Sequence, residues 1–300
     1  MKKGFVLATL LAAVMNGQAQ TVDTTASELN DSTTTEVIRL NSTTHLRAET
    51  GPDEVYKLNP KVDIPLTAVG VGWSVYAFSK IYNKDKSTEA EILALRREDL
   101  AFYNRFGADS YHPKAADASD HLFYGSMPLP LFLLLDKEIR KDAGKVGLMF
   151  LESMAVTGLL YTGSVYFVDK YRPYTYNPET PMDKRMGGGG KNSFFAGHVA
   201  LVGTSTFFTA KVLSDYHPHS RAKWAFFTGA GIATASTAYL RYRAGQHFLD
   251  DLVIGSAVGT LSGILVPRFH KNRTPKSTGV SLSPQFGLGG QKGVAMVYRF

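Results

Sequence analysis

The polar and apolar positions divide the chain into three stretches of different character. Residues 1–19 open with Lys2 and Lys3, continue into the apolar run "FVLATLLAAVM" and end on "GQA". A charged start, an apolar centre and a small residue before the cut predict a secretory signal peptide cleaved after Ala19. Residues 20–60 are rich in Thr, Ser, Asp and Glu without apolar periodicity, which predicts a flexible polar leader. From residue 61 the pattern turns helical. Apolar segments fall near 64–80, 122–135, 146–168, 194–213, 223–240 and 251–267. They predict an all-α helical bundle with about six core helices over 61–270. Between the first two segments, "STEAEILALRREDLAFYNRF" predicts one amphipathic helix. Thr88 and Glu91 form a capping box at its start, and Ile92, Leu95, Tyr103 and Phe106 share its face. In the tail, 271–300, Val294, Met296, Tyr298 and Phe300 alternate with Ala295, Val297 and Arg299. Glycines 287, 289, 290 and 293 supply a turn, so a C-terminal β-hairpin covering the helical body is expected.

Composition narrows the function classes. The chain has 300 residues, 44 % of them hydrophobic, with a net charge of +7. The basic residues are scattered, and there is neither a zinc finger nor a basic reading helix, so nucleic acid is not an expected partner. A phosphorylated small molecule or lipid, or an anionic membrane surface, suits the charge better. The absence of cysteine excludes disulfides and a lipoprotein anchor. Mean hydropathy is −0.10, low for six membrane spans, and the polar leader contributes to that value. The second segment is short and carries two prolines, the third carries Glu152, and the fourth carries His198 and Lys211. With a cleaved signal and three consecutive spans, the charged clusters described next would face the cytoplasm. A periplasmic site requires one segment, or all of them, not to span. The expected location is therefore the periplasm or the cell-envelope membrane, with the domain at or in that membrane.

Three charged clusters fall at ends of consecutive helices: "DKYRPY", "SFFAGHVA" and "LRYRAGQHFLDD". Antiparallel neighbours bring such ends together. His247 and Asp251 are four apart near a helix start, so the carboxylate is expected to accept the Nδ1 hydrogen and leave Nε2 as a nucleophile. His198 follows Gly197 at another helix start, where N–H groups favour anions. Arg172 and Arg241 offer planar donor forks for phosphate oxygens. Two histidines, an aspartate and two arginines without cysteine suggest phosphoryl transfer that uses no metal and no cofactor.

These residues resemble the type 2 phosphatidic acid phosphatases, which share a fold with bacterial acid phosphatases and vanadium haloperoxidases. Arg172–Pro173 matches the first family motif and Gly197–His198 the second. Arg241, His247 and Asp251 hold the spacing of the third without gaps. The resemblance spans about residues 61–267. It implies that His247 attacks phosphorus to form a phosphohistidine and that Asp251 orients it. His198 would protonate the leaving oxygen and then activate water, while Arg172, Arg241 and the Gly197 amide stabilise the equatorial oxygens. The chain departs from the motifs at several positions. Val165 occupies the place of the first motif's lysine, Phe195–Ala196 that of Pro-Ser, and Leu240 that of a serine. Lys170, and Lys191 after the "GGGG" of 187–190, are the expected replacement phosphate contacts. The reading is an exported phosphatase acting on a phosphate monoester or diphosphate, such as a lipid phosphate. Three alternatives stay open: a soluble periplasmic acid phosphatase, an oxidoreductase using vanadate in the same pocket, and an envelope binding module with a weakened site.

Overall fold

The computed structural model describes residues 54–272 and, for their backbone alone, 280–286 and 292–298. The signal peptide, most of the leader and the hairpin's turn and side chains lie outside the described residues, as does any seating of the tail on the helical body. Val280–Phe286 (β1) and Lys292–Tyr298 (β2) pair antiparallel, with Val280 opposite Tyr298 and Phe286 opposite Lys292.

The described body is mostly helical. Its long helices are α1 (Pro60–Ile81), α2 (Pro113–Ser126), α3 (Ala143–Phe167), α4 (Gly197–Tyr216), α5 (Ala222–Arg243) and α6 (Leu249–His270). The expected second apolar segment is built differently from a single helix. Its α-helix starts at Pro113, whose missing N–H costs nothing in a first turn, and stops at Ser126. Pro128 and Pro130 then remove two donors, and Leu129–Leu135 continues as a 3₁₀ helix.

The amphipathic helix expected over 87–106 is also corrected. The capping box is present, with Glu91 N donating to Thr88 Oγ1 at 3.2 Å and Thr88 N to Glu91 Oε2 at 2.7 Å. The helix nevertheless ends at Leu93 and is followed by two short turns, Arg97–Asp99 and Phe102–Arg105. The Arg105 guanidinium donates to the carbonyls of Leu100 and Glu98, at 2.9 and 2.6 Å, acceptors that a continuous helix would have needed. Ile92 is buried, while Tyr103 and Phe106 are exposed.

The helices alternate in direction. At one end, Lys57 N donates to His270 O at 2.8 Å and Tyr56 bridges Lys271, so the start of α1 lies beside the end of α6. At the other end, Asn192 reaches the Ile81 carbonyl and Lys84 the Val165 carbonyl, which places the ends of α1 and α3 together. A core of Tyr56, Leu133, Ile139, Met149, Phe208 and Val212 fills the first end.

The seam between α4 and α6 sets the site. Gly255, Gly259 and Gly263 recur every fourth residue on α6 and face Ala196, Ala200 and Thr204, spaced alike. A Cβ on Gly259 would sit 2.2 Å from the Ala200 oxygen, and one on Gly255 2.6 Å from the Ala196 oxygen. Close approach of the two backbones brings the starts of the regions carrying His198 and His247 together. Gly259→Ala is expected to cost ~1–3 kcal/mol by overpacking. Gly229→Ala on α5, where an added Cβ meets nothing within 4 Å, should be neutral or stabilising. Thermal unfolding of both variants checks this, and equal midpoints would remove the seam's importance.

Candidate active site

Four separate segments meet at the end of the bundle away from Tyr56 and Lys271. The loop after α3 brings Lys170 and Arg172, and the start of α4 brings His198. The last turn of α5 brings Arg241, and the turn before α6 brings His247. That turn depends on Gly245, whose φ of +68° lies in the left-handed region and whose added Cβ would meet the Ser110 oxygen at 1.8 Å.

His247 is 2 % exposed. Its Nδ1 lies 2.7 Å from the Ser193 carbonyl, which can only accept, so Nδ1 carries the hydrogen and Nε2 the lone pair. Burial, with Arg172 and Arg241 nearby, holds the imidazole well below its ordinary pKa, so it is neutral at neutral pH. The expected direct bond from His247 to Asp251 is therefore corrected. His247 precedes α6, whose first residue is Leu249, so the four-residue spacing does not place the two side chains on one helical face. Asp251, fully buried, instead accepts from Ser193 Oγ at 2.6 Å, Phe248 N at 3.0 Å and Lys170 Nζ at 2.7 Å. It is linked to His247 through Ser193, whose hydroxyl it accepts from and whose carbonyl holds the ring.

The two lysines also differ from expectation. The Lys170 ammonium is committed to Asp250, at 2.8 and 2.9 Å, and to Asp251. The glycine run is a packed 3₁₀ turn, Gly188–Lys191, rather than a free loop. Gly190 O and Lys191 O accept from Arg172 N and Lys170 N, at 2.8 and 3.1 Å. The Lys191 side chain lies within electrostatic range of Glu91. Val165 is buried against Ala77 and Ile81 of α1, so a lysine there would have to leave an apolar seam. Phe195 and Ala196 are both buried.

Arg172 donates through Nε to Asn192 O at 3.2 Å and through a terminal nitrogen to Gln246. Arg241 is 5 % exposed, donates to Asp120 Oδ1 at 2.6 Å, and has a buried Nε without a partner among the described residues. His198 Nε2 lies 3.3 Å from the same Asp120 oxygen. Phe123, three residues on from Asp120, packs on the imidazole with ring centroids 4.6 Å apart. Desolvation pushes His198 down to about 4; the Asp120 bond opposes that shift and Arg241 adds to it. Gly197 is required where it stands, because an added Cβ would enter the Tyr161 ring at 2.5 Å. Its amide belongs to the first turn of α4, whose N–H groups lack intrahelical partners.

Asp120, Ser193 and Gln246 were missed in the sequence. Asp120 lies in "HPKAADASDHLFYG", far from the three clusters, and only its spacing of three from Phe123 marked a shared face.

Two histidines and two guanidiniums thus gather near a helix start, and the family comparison bears on the same stretch of chain. The model of the PAP2 superfamily matches residues 146–275, from α3 through the end of α6. This match over residues 146–275 supports membership of the PAP2 superfamily. Members of the PAP2 superfamily are generally phosphatases, which supports a phosphoric ester hydrolase at that coarse level. No curated protein and no solved structure matches the chain. The PAP2 match holds Arg172, His198, Arg241, His247 and Asp251, whereas α1 and α2, with Asp120, lie before it.

Proposed function

We propose that the chain is an exported phosphatase that hydrolyses a lipid phosphate monoester or diphosphate through a phosphohistidine on His247. The observation that carries this reading is the buried His247, its Nδ1–H held by a carbonyl and its Nε2 lone pair left free beside two guanidiniums. Nε2 attacks phosphorus as the bond to the leaving oxygen breaks. His198 passes a proton to that oxygen, the proton arriving with a monoanionic phosphoester or from solvent. Asp120 on its Nε2 favours the imidazolium needed for that transfer, and a bound phosphate anion adds to it. Water then attacks the phosphohistidine, giving its proton to His198, and phosphate leaves. Arg172, Arg241 and the Gly197 amide stabilise the equatorial oxygens. Lys170 acts on phosphate only at a distance, through Asp251 and the Ser193 loop.

The lipid part of the reading rests on the helix flanks. Among the described residues, two helices, α3 and α6, are long and apolar enough to cross a membrane. Val62, Leu66 and Val69 on α1, Leu159 and Leu160 on α3, and Val253 and Leu261 on α6 are exposed. A bilayer along these flanks would leave the phosphate site at one end of the helices, near headgroup level.

Purified full chain in detergent should release phosphate from lipid phosphates in mixed micelles faster than from nitrophenyl phosphate. Orthovanadate, which mimics five-coordinate phosphorus, should inhibit, and acid quench during turnover should trap an acid-labile phosphoprotein. Faster turnover of the soluble ester would favour a broad acid phosphatase. Phosphate binding without turnover of either would favour a binding module.

A further inference from the structure

At the end of the bundle opposite the phosphate site, three helices direct titratable side chains toward one another. Asp63 lies in the first turn of α1, Glu152 in α3, and His270 is the last residue of α6. Asp63 and Glu152 are 6 % and 7 % exposed, and the His270 side chain is 11 % exposed. One donor atom from each lies within 4.8 Å of the others. We propose that Asp63, Glu152 and His270 form a divalent transition-metal site, suited to Zn²⁺, that clamps α1, α3 and α6 together.

The imidazole is already oriented as a ligand. His270 Nδ1 lies 2.9 Å from the Val266 carbonyl, so it carries the hydrogen and leaves the Nε2 lone pair facing the carboxylates. Metal-bound histidines are commonly fixed in this way by a backbone acceptor. The spacing also suits an ion better than a direct pair. Nε2 is 3.4 Å from Asp63 Oδ2 and 3.4 Å from Glu152 Oε2. A charge-assisted N–H···O bond would draw such atoms to about 2.7–2.9 Å. Donors placed about 2.0–2.1 Å from a tetrahedral zinc are separated by about 3.3–3.4 Å.

Two polar atoms are left over in this cluster. Glu152 Oε2 is buried without a hydrogen-bond partner among the described residues, and so is Thr67 Oγ1, one turn along α1 from Asp63. Thr67 and Glu152 line the same small cavity between α1 and α3. Two buried carboxyl groups converge on one imidazole here, and a divalent ion would supply the positive charge that buried carboxylates require. One nitrogen and two oxygens suit zinc, whereas calcium and magnesium favour oxygen alone. A cleft lined by Asn59, Pro60 and His270 borders the cluster on the His270 side, and a water would complete four-coordination.

The test uses full-length protein without a histidine tag, stripped with a chelator and dialysed against Zn²⁺. One zinc per chain should be retained, and the unfolding midpoint should rise on reloading. Asp63→Asn and Glu152→Gln, both isosteric, should each lose the zinc and the midpoint shift, while His247→Ala should keep both. If either isosteric variant fails to fold, X-ray absorption at the zinc edge of the wild type decides. One imidazole with oxygen ligands supports the site. Two imidazoles would place the ion on His198 and His247 and overturn the proposal. No zinc retained by the wild type, or equal retention by folded Asp63→Asn and Glu152→Gln, would also overturn it, leaving a carboxylate–imidazolium cluster.

Discussion

His247→Ala should reduce turnover roughly 10⁴-fold or more while phosphate or vanadate still binds, because the side chain lost is the proposed nucleophile and the guanidiniums remain. Among the described residues, the other candidate nucleophiles at the site are already engaged. Asp251 is engaged by Ser193, Lys170 and the Phe248 amide, and His198 faces Asp120. The same reasoning gives a pH dependence. The His247 pKa is lowered, so the neutral, nucleophilic form persists as pH falls through the ordinary histidine value and is lost only below it. The acidic limb of kcat/KM should accordingly lie beneath about 6.5. Steady-state rates between pH 4 and 8, with binding measured calorimetrically for the variant, test both statements. Wild-type rates in His247→Ala would end the phosphohistidine reading, and an acidic limb at or above the ordinary histidine value would contradict the buried, cation-flanked environment.

Arg241→Met should lower kcat/KM by roughly 10²–10³, the effect of removing one preorganised donor from a developing charge. Arg241 is almost fully buried and shares Asp120 with His198, so the change does two things. It removes a donor fork from phosphate, and it leaves the Asp120 carboxylate with His198 as its remaining partner. The second effect is one of stability, and it is modest because the Asp120 side chain is 42 % exposed and solvent can compensate it. Adding Asp120→Asn to Arg241→Met should therefore recover part of the lost unfolding midpoint and none of the lost rate. Recovery of rate in the double variant, or a single-variant rate within tenfold of wild type, would show that Arg241 serves only to hold Asp120.

Much of the site was legible along the chain, for a definite reason. Arg172, His198, Arg241 and His247 each sit within a few residues of a helix end, and helix ends are marked by punctuation such as Pro173, Gly197 and Gly245. Alternating helix directions then require those ends to meet. The partners of these residues were not legible, because a spacing of four implies a shared face only inside a helix. His247 lies outside α6, and its Nδ1 hydrogen goes to a carbonyl 54 residues away, a group every residue possesses and no sequence pattern marks. Lys170 shows the same limit. A lysine two residues before Arg172 reads as a phosphate contact until the fold places Asp250 and Asp251 against it.

By itself, then, the sequence determined most of the long helical segments, the order of the three charged clusters and the candidate nucleophile, since all of these follow from periodicity and short-range spacing. Tertiary structure alone decided three other matters: that Asp120 ties His198 to Arg241, that Asp251 is linked to His247 through Ser193, and that Asp63, Glu152 and His270 share one buried point. Each of those depends on side chains brought together by helix packing across 58 to 207 residues of chain, a distance at which local pattern carries no information.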